Sequence, residues 1–262
     1  MSDTQEINVS KKDWNGAYVP KHSAKLVKAA VENSTAPFIP QNGQVATPLI
    51  INANTGFALD AKDMIPAILT KVEKGYKSNV VGTFATAGKA ETRVKEKEKG
   101  LYVNFKNKET GEWNHTAYFF GEQMKNPEKF AEFASKQKVN QQQNLKGEKI
   151  TAFSPEVTAY LGAYIAACKS GATFEAAPDI AEKFKVNMLA VAGNELARTA
   201  AEKKKDIPGI TEVFTNAGKK ADEIIKTMEK NRGIGQEKKQ EKNQEFKPQH
   251  NKRKSKEMTM SM

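Results

Sequence analysis

The sequence predicts an α+β protein, and three observations support this class. Apolar residues recur at helical spacing in several segments. Two other segments, 101–105 and 113–120, alternate between apolar and polar residues, as β-strands do. Hydrophobic residues make up 38% of the 262 residues, below the ~45–50% usual for compact domains, so part of the chain is expected to lie outside the core. We expect an N-terminal α+β domain with a β-hairpin, then a small helical bundle and a disordered basic tail.

Changes in composition along the chain predict the domain boundaries. Residues 1–20 are polar and are interpreted as a flexible arm, which precedes an α+β domain over residues 21–136. Residues 137–150 contain a run of glutamines and are predicted to be a linker. Residues 151–230 carry helical patterns that suit a small bundle. Residues 231–262 nearly lack aromatic and β-branched residues, which predicts a disordered basic tail.

Two helices are predicted before the hairpin and another after it. The first covers residues 23–33, and its apolar face is formed by Leu26, Val27, Ala30 and Val31. The second is capped by Asp60 or Asp63 and tolerates Pro66 only in its first turn. The third follows Asn126.

The two alternating segments flank a polar loop that contains Gly111, which predicts a β-hairpin. One face of the hairpin is expected to carry Val103, Phe105, Trp113 and Phe119. The other face is expected to carry Tyr102, Asn104, Thr116 and Tyr118. Sequence alone does not determine the register, and a slip of one residue exchanges the two faces of a strand.

The helices of the predicted bundle have their own start and stop signals. Ser154-Pro155 is expected to cap the first helix, which ends at Ser170-Gly171. The second begins near Pro178-Asp179, and the third has apolar residues at helical spacing from Val213 onward.

The sequence has no pattern typical of a catalytic or metal site. Its histidines are far apart, at His22, His115 and His250, and neither a His-Glu-x-x-His motif nor a glycine-rich phosphate loop occurs. The single cysteine, Cys168, excludes a disulfide framework and lies on an apolar helical face, where a core role is expected. We therefore expect a protein that is not an enzyme, with no metal and no cofactor.

The charge of the chain points to a polyanionic partner. The sequence has 42 Lys and Arg against 31 Asp and Glu, a net charge of +11. Nucleic acid is the commonest partner of such proteins, although charge that only maintains solubility is the alternative. The first residues do not resemble a signal peptide, and no apolar stretch reaches the ~20 residues that span a bilayer. A cytoplasmic location without membrane binding is expected.

Residues 71–108 combine a basic excess with aromatic residues, ten basic against four acidic. Single-stranded nucleic acid is bound by cations along the phosphates and by flat rings on which bases stack. If residues 93–99 are extended, their cations line one face and Glu96 and Glu98 line the other; the alternative is a solvated connection of mixed charge. The candidate contacts are Arg93, Lys95, Lys97, Lys99, Lys89, Lys106, Tyr76, Phe84, Tyr102 and Trp113. For each ring, a place in the core is the alternative.

Five short motifs follow one another between residues 21 and 125. They are Ala36-Pro37-Phe38 with Pro40, then Asn52-Ala53-Asn54-Thr55-Gly56, Gly75-Tyr76, Val81 with Thr83-Phe84, Ala87 and Val94 to Gly100, and finally Phe119, Glu122 and Gln123. In this order and spacing they resemble the N-terminal domain of ArdC-type antirestriction proteins, which is also found in TraC-type plasmid primases. The chain departs from the family pattern at Phe38 and Val81, where the family has Trp, and at Lys97, where it has Gly.

The resemblance implies an α+β domain that binds single-stranded DNA with little sequence preference and travels on conjugative plasmids and other mobile elements. Asn52 and Thr55, from the second motif, join the nucleic-acid candidates. ArdC-type proteins add a metallopeptidase-like domain, and TraC-type proteins add a primase; the sequence has no motif of either, so neither activity is expected here.

The leading hypothesis is a sequence-nonspecific single-stranded-DNA-binding protein of a plasmid, integrated element or phage, which protects DNA or opposes restriction. DNA is favoured over RNA, and residues 151–230 are a candidate site for a protein partner. The alternative is a structural or interaction protein whose helical C-terminal half is the working part. A third class is an enzyme that acts on DNA. It would require converging carboxylates or a metal site, and the sequence shows no pattern for either.

Overall fold

The fold is known from a computed structural model. It describes residues 18–40, 48–106, 113–137, 144–198 and 209–245, without the side chains of 18, 104–106, 113–114 and 234–245. Residues 1–17 of the predicted arm, residues 138–143 of the predicted linker and residues 246–262 of the predicted tail lie outside the described residues. Within the described residues the protein is α+β, as the sequence predicts, with helices packed around a small mixed sheet.

The main sheet has four strands in the order β1-β2-β4-β3. Their bounds are β1 (Ile51–Asn52), β2 (Val80–Gly82), β3 (Leu101–Lys106) and β4 (Trp113–Phe120). Strand β1 is parallel to β2, and the other two pairings are antiparallel. The β3–β4 pair is the predicted hairpin.

The register of the hairpin corrects its predicted faces. Val103 lies opposite Thr116 and therefore shares a face with it, whereas Tyr102 lies opposite Ala117, on the face of positions 113 and 119. The assignment was wrong for β4 because both faces of the sheet are covered. Phe120 enters the main core and Phe119 enters a second, smaller cluster on the opposite side. Apolar residues therefore stand on both faces, and alternation alone could not align the two strands.

Four helices surround this sheet. They are α1 (Tyr18–Glu32), α2 (Ala61–Lys74), α3 (Phe84–Lys89) and α4 (Pro127–Lys136). Helices α1, α2 and α4 were predicted, and α1 begins five residues before the predicted start at residue 23. Pro66 lies inside α2 and beyond its first turn, contrary to expectation. Helix α3 was not predicted, because it is only one and a half turns long and buries only Thr86 and Ala87.

The C-terminal half is not purely helical. It contains β5 (Lys149–Ala152), α5 (Val157–Ser170), β6 (Thr173–Ala176), α6 (Pro178–Ala197) and α7 (Ile210–Glu245). Strands β5 and β6 pair in parallel across α5, which the predicted bundle did not include. Glu156, rather than Ser154, caps α5 by accepting hydrogen bonds from the N–H groups of Thr158 and Ala159. Helix α7 continues through residues 231–245, where disorder was predicted, because Gln, Glu and Lys favour helix strongly there.

One hydrophobic core contains residues from both sides of the predicted linker. The Phe38 ring makes edge contacts with Tyr164 at 5.9 Å and Phe184 at 5.8 Å between centroids. The Tyr160 hydroxyl donates a hydrogen bond of 3.1 Å to the Phe38 carbonyl. The motif residue Phe38 thus joins the two halves, and the proposed domain division stays a prediction.

Helix α5 supplies the centre of this core. Its residues from Tyr160 to Cys168 are buried on every side. Burial raises the pKa of the Cys168 thiol to about 12, so the thiol is protonated at neutral pH. Cys168 is therefore a core residue, as its apolar surroundings in the sequence indicate.

Candidate nucleic-acid interface

Helix α3 presents an aromatic ring to solvent. Thr83 caps the helix by accepting a hydrogen bond of 3.2 Å from the N–H of Thr86. The next residue, Phe84, is 64% exposed. Its ring rests on the buried ring of Phe119, with 4.5 Å between centroids and 59° between planes. Phe84 therefore has fixed support beneath it and accessible surface above, which suits base stacking.

A glycine makes this aromatic pair fit against the sheet. A Cβ atom at Gly100 would lie 2.9 Å from the Phe119 ring and 2.9 Å from the Cβ of Ala117. Any side chain at this position would push Phe119 away from β3. Gly100 belongs to the motif that follows Phe84 in the sequence, and its role is close packing beneath the exposed ring.

An open depression of about 620 Å³ adjoins the Phe84 ring. Its walls are formed by Phe84, Ala87, Gly88, Glu91, Thr92, Arg93 and Val94. Ligand sites commonly have volumes of ~300–1,000 Å³, so a nucleobase can be accommodated here. The exposed Phe84 ring and the exposed Arg93 both line this depression, which pairs a stacking surface with a cation.

The basic segment 93–99 is a turn and not the extended strand considered from the sequence. The N–H of Lys125 donates to the carbonyl of Arg93 at 2.7 Å, and the N–H of Lys95 donates to the carbonyl of Gln123 at 2.8 Å. The chain then turns, and Lys97 has a φ of 64°, in the left-handed region. The predicted alternating stripe of charge does not form. Lys97 thus adopts a backbone conformation that glycine tolerates best.

The cations of this segment divide into two groups. Arg93, Lys97 and Lys99 are exposed, and their side chains form no hydrogen bond or ion pair within the described part of the chain. Lys95 instead donates to the carbonyl of Glu122 at 2.7 Å, and Lys89 donates to the side-chain oxygen of Asn54 at 2.8 Å. Three of the predicted cations are thus available for phosphates, and two are partly engaged with the protein.

Glu122 and Gln123, the last residues of the final motif, hold the surrounding loops. One carboxylate oxygen of Glu122 accepts hydrogen bonds of 2.6 Å from the N–H groups of Lys77 and Ser78. Gln123 donates to the carboxylate of Glu98 at 2.9 Å and to the carbonyl of Lys99 at 3.0 Å. Sequence reasoning gave these two residues no role of their own; their place in an ordered motif was the only signal.

The motif that contains Asn52 and Thr55 forms a turn beside α3. The Asn52 side chain accepts from the N–H of Asn54 at 2.9 Å and donates to the Tyr118 hydroxyl at 3.3 Å. Thr55 is exposed and accepts from the N–H of Phe57 at 3.3 Å. The bond between Lys89 and Asn54 connects this turn to α3. Asn52 therefore shapes the turn, and Thr55 is an exposed residue of the same turn.

The remaining candidate residues are either half-buried or have side chains outside the described residues. Tyr76 is half-buried against Phe120, with 5.2 Å between ring centroids. Its pKa is raised, first by desolvation and then by nearby carboxylates. Its packing therefore favours the core alternative. Tyr102 is half-buried and shares the sheet face of Phe119. The side chains of Lys106 and Trp113 lie outside the described residues.

No group of three or more His, Cys, Asp or Glu side chains is arranged to hold a metal ion within the described ranges. Over the same ranges, no helix combines the length and apolar character needed to cross a membrane.

Comparisons with known proteins give one distant structural likeness. No protein-family model matches the chain, and no curated protein matches it in sequence. Among solved structures, the chain is similar to the metal-free crystal structure of the antirestriction protein ArdC from plasmid R388. The sequence identity is 16% and the TM-score is 0.47, over 78% of this chain and 95% of that chain.

Proposed function

We propose that the protein binds single-stranded DNA without sequence preference, through a surface that we call the Phe84 surface. It is defined by Phe84, Arg93, Lys97, Lys99 and Lys89. The observation that carries the proposal is the exposed Phe84 ring, which is supported by Phe119 and borders a depression that Arg93 also lines. These residues come from the motif block that resembles the ArdC-type N-terminal domain.

In the proposed complex, the Phe84 ring stacks on a base and the cations contact the phosphates. An accessible aromatic ring contributes about 1–3 kcal/mol per stacked base, and every base has a face that can stack. Duplex DNA keeps its bases stacked internally, so this contribution is open only to single strands. Arg93, Lys97 and Lys99 would hold the phosphates on either side of the stacked base. Because neither interaction reads a base edge, little sequence preference is expected.

We further propose that the protein belongs to a mobile element and covers its DNA against restriction. The support is the ordered series of motifs, which is similar to that of ArdC-type proteins. Binding alone is sufficient for this role, so no catalytic step is proposed. DNA is favoured over RNA on the same resemblance.

The proposal is tested by fluorescence anisotropy with a labelled single strand of ~30 nucleotides, longer than the ~4–16 nucleotides that such proteins usually occupy. Unlabelled duplex DNA and RNA serve as competitors. Phe84→Ala is expected to weaken binding by about 5- to 150-fold, the equivalent of one lost stacking contact. The matched control is Phe153→Ala, since Phe153 is 85% exposed in the loop between β5 and α5, and it should bind like wild type.

The cations are tested in the same assay by replacing Arg93, Lys97 and Lys99 together with Glu. The slope of log affinity against log salt should become shallower by about 2, since each phosphate contact on a single strand contributes ~0.7. Replacing Lys146, Lys183 and Lys219 with Glu changes the net charge equally at exposed sites elsewhere. Wild-type protein that binds no single strand at low salt, or equal losses in both triple variants, would refute the proposed surface.

A second candidate function is protein binding by residues 151–230. Phe153 and Val186 are largely exposed, and a hydrogen bond of 2.9 Å from Asn187 to the Pro155 carbonyl brings their neighbourhoods together. Exposed apolar residues that adjoin one another are typical of protein contacts. Cross-linking from a photoreactive residue at position 153 in host cells tests this candidate, and an absence of adducts on the wild-type fold would contradict it.

A further inference from the structure

We infer that Gln123 is a positioning residue of the Phe84 surface: it turns the carboxylate of Glu98 inward and so leaves the basic turn with its cations facing outward. The inference rests on the proposed function and assigns a role that the resemblance itself does not state. Gln123 is buried and is not itself proposed to contact DNA. Its effect is transmitted through Glu98 and Lys99.

Both the oxygen and the nitrogen of the Gln123 side chain form hydrogen bonds within the protein. Its side chain is buried, with 3% of the residue exposed. The side-chain oxygen accepts a hydrogen bond of 2.9 Å from the N–H of Phe120, at the end of β4. The side-chain nitrogen donates both of its protons, to the Glu98 carboxylate at 2.9 Å and to the Lys99 carbonyl at 3.0 Å. One amide thus ties the end of β4 to two residues of the basic turn.

The electrostatic consequence concerns Glu98. Glu98 is half-buried and its carboxylate is held by a charge-assisted hydrogen bond, while its neighbours Lys97 and Lys99 are exposed. A bond of this kind is about twice as strong as one between neutral groups. Without it, the carboxylate would return to solvent between the two lysines and repel the phosphates that they are proposed to bind. Gln123 therefore removes a negative charge from the surface without changing the composition of the turn.

The turn also depends on the bond to Lys99. Lys97 occupies the left-handed region, which non-glycine residues adopt at a cost. Such a conformation persists when the surrounding contacts require it. The backbone bond from Lys95 to Gln123 fixes the start of the turn, and the side-chain bond from Gln123 fixes its end at Lys99. Loss of the side-chain bond is expected to release Lys97 from this conformation.

The test is a charge exchange between positions 123 and 98. Gln123→Glu places a carboxylate oxygen where the amide nitrogen now donates, so it faces the Glu98 carboxylate and the Lys99 carbonyl. Single-strand affinity should fall about tenfold, as expected when a buried polar contact becomes repulsive. Adding Glu98→Gln restores a donor to the pair, and affinity should return to within about threefold of wild type. The recovery of affinity should be incomplete, because the carboxylate introduced at position 123 still faces the Lys99 carbonyl oxygen.

The matched control is Glu96→Gln, which makes the same charge change at a side chain that is 87% exposed. The double variant Gln123→Glu with Glu96→Gln has the same net charge as the rescued variant but should bind as weakly as Gln123→Glu alone. If it recovers equally, the effect is one of net charge and the positioning role is overturned. If neither double variant recovers, the contact with Glu98 is not the basis of the loss.

Stability is measured in parallel, because Gln123 is buried. If Gln123→Glu does not fold, Gln123→Met removes the donor, and with it the acceptor for the Phe120 N–H, while retaining length; the same loss of affinity is expected from a folded protein. Amide exchange at residues 95–99 should accelerate in either variant if the side chain holds the turn. Wild-type protein that binds no strand refutes the proposed function, whereas wild-type binding with an unchanged Gln123→Glu variant refutes only the role of Gln123.

Discussion

Aromatic rings occur in this protein in two surroundings that differ in how they are covered. In the main core, Tyr160 and Phe184 stack with 3.8 Å between centroids, and both rings are fully buried. On the smaller cluster, Phe84 also packs on an aromatic neighbour, yet most of its surface is exposed. The rings of Phe38 and Phe174 pack against the first pair, whereas the short helix α3 leaves its ring uncovered. A ring that is supported on one side only can bind a ligand; a ring enclosed on all sides stabilises the fold.

The largest expected effect is on the enclosed pair. Phe184→Ala removes a ring that contacts both Tyr160 and Phe38, and it should lower the free energy of unfolding by about 3–5 kcal/mol. Phe84→Ala should lower it by less than about 1 kcal/mol, because an exposed ring loses little burial. Urea denaturation of the two variants measures the difference. Equal losses would mean that Phe84 belongs to the core and would remove the contrast.

A glycine beneath the smaller cluster sharpens the comparison. Gly100→Ala forces a Cβ against the Phe119 ring, and it should destabilise the protein by about 1–3 kcal/mol through overpacking. DNA affinity should also fall, since Phe119 supports Phe84. Gly193→Ala in α6 is the matched control, because its Cβ meets nothing within 4 Å and it lies outside the Phe84 surface. In the helix interior this change should stabilise by about 0.5–1 kcal/mol. Thermal unfolding of both variants measures these changes in stability. An unchanged stability of Gly100→Ala would mean that the Phe119 ring can move aside to accept the added Cβ.

The smallest expected effect is at Lys97. Lys97→Gly relieves the left-handed strain of about 1 kcal/mol, although the added freedom of the unfolded chain offsets part of this gain. We expect the free energy of unfolding to rise by less than ~1 kcal/mol while single-strand affinity falls a few-fold through loss of one cation. Urea denaturation and anisotropy measure the two quantities. A variant that is both more stable and equally tight in binding would show that the Lys97 charge makes no contact.

The sequence predicted the parts of the fold with strong local signals. Helices α1 and α2 have apolar faces several turns long, and the β3–β4 hairpin has alternation on both sides of a turn. Helix α3 was missed because it has too few residues to show a period. The pairing of β5 with β6 was missed because it depends on the crossover through α5, and no local pattern encodes which strands meet.

For the candidate interface, the sequence supplied the residues but not their geometry. Phe84, Arg93 and Lys97 were identified from residue type and order. The turn at 93–99 could not be predicted, because its backbone bonds reach Gln123 and Lys125, some 30 residues away. The inward orientation of Glu98 depends on the same distant partner. Charge alternation along a segment describes a surface only when the segment is extended.

The contact of Phe38 with both halves determines how the chain can be divided. Cutting the backbone within residues 137–150 would leave each fragment with an unfilled part of the common core, including the space around Phe38, Tyr164 and Phe184. Neither fragment is expected to fold alone, but the two should reconstitute the native protein when mixed, as complementary fragments that supply each other's missing core. Proteolytic nicking in this segment would then leave the molecule intact in solution, held together by its interior alone.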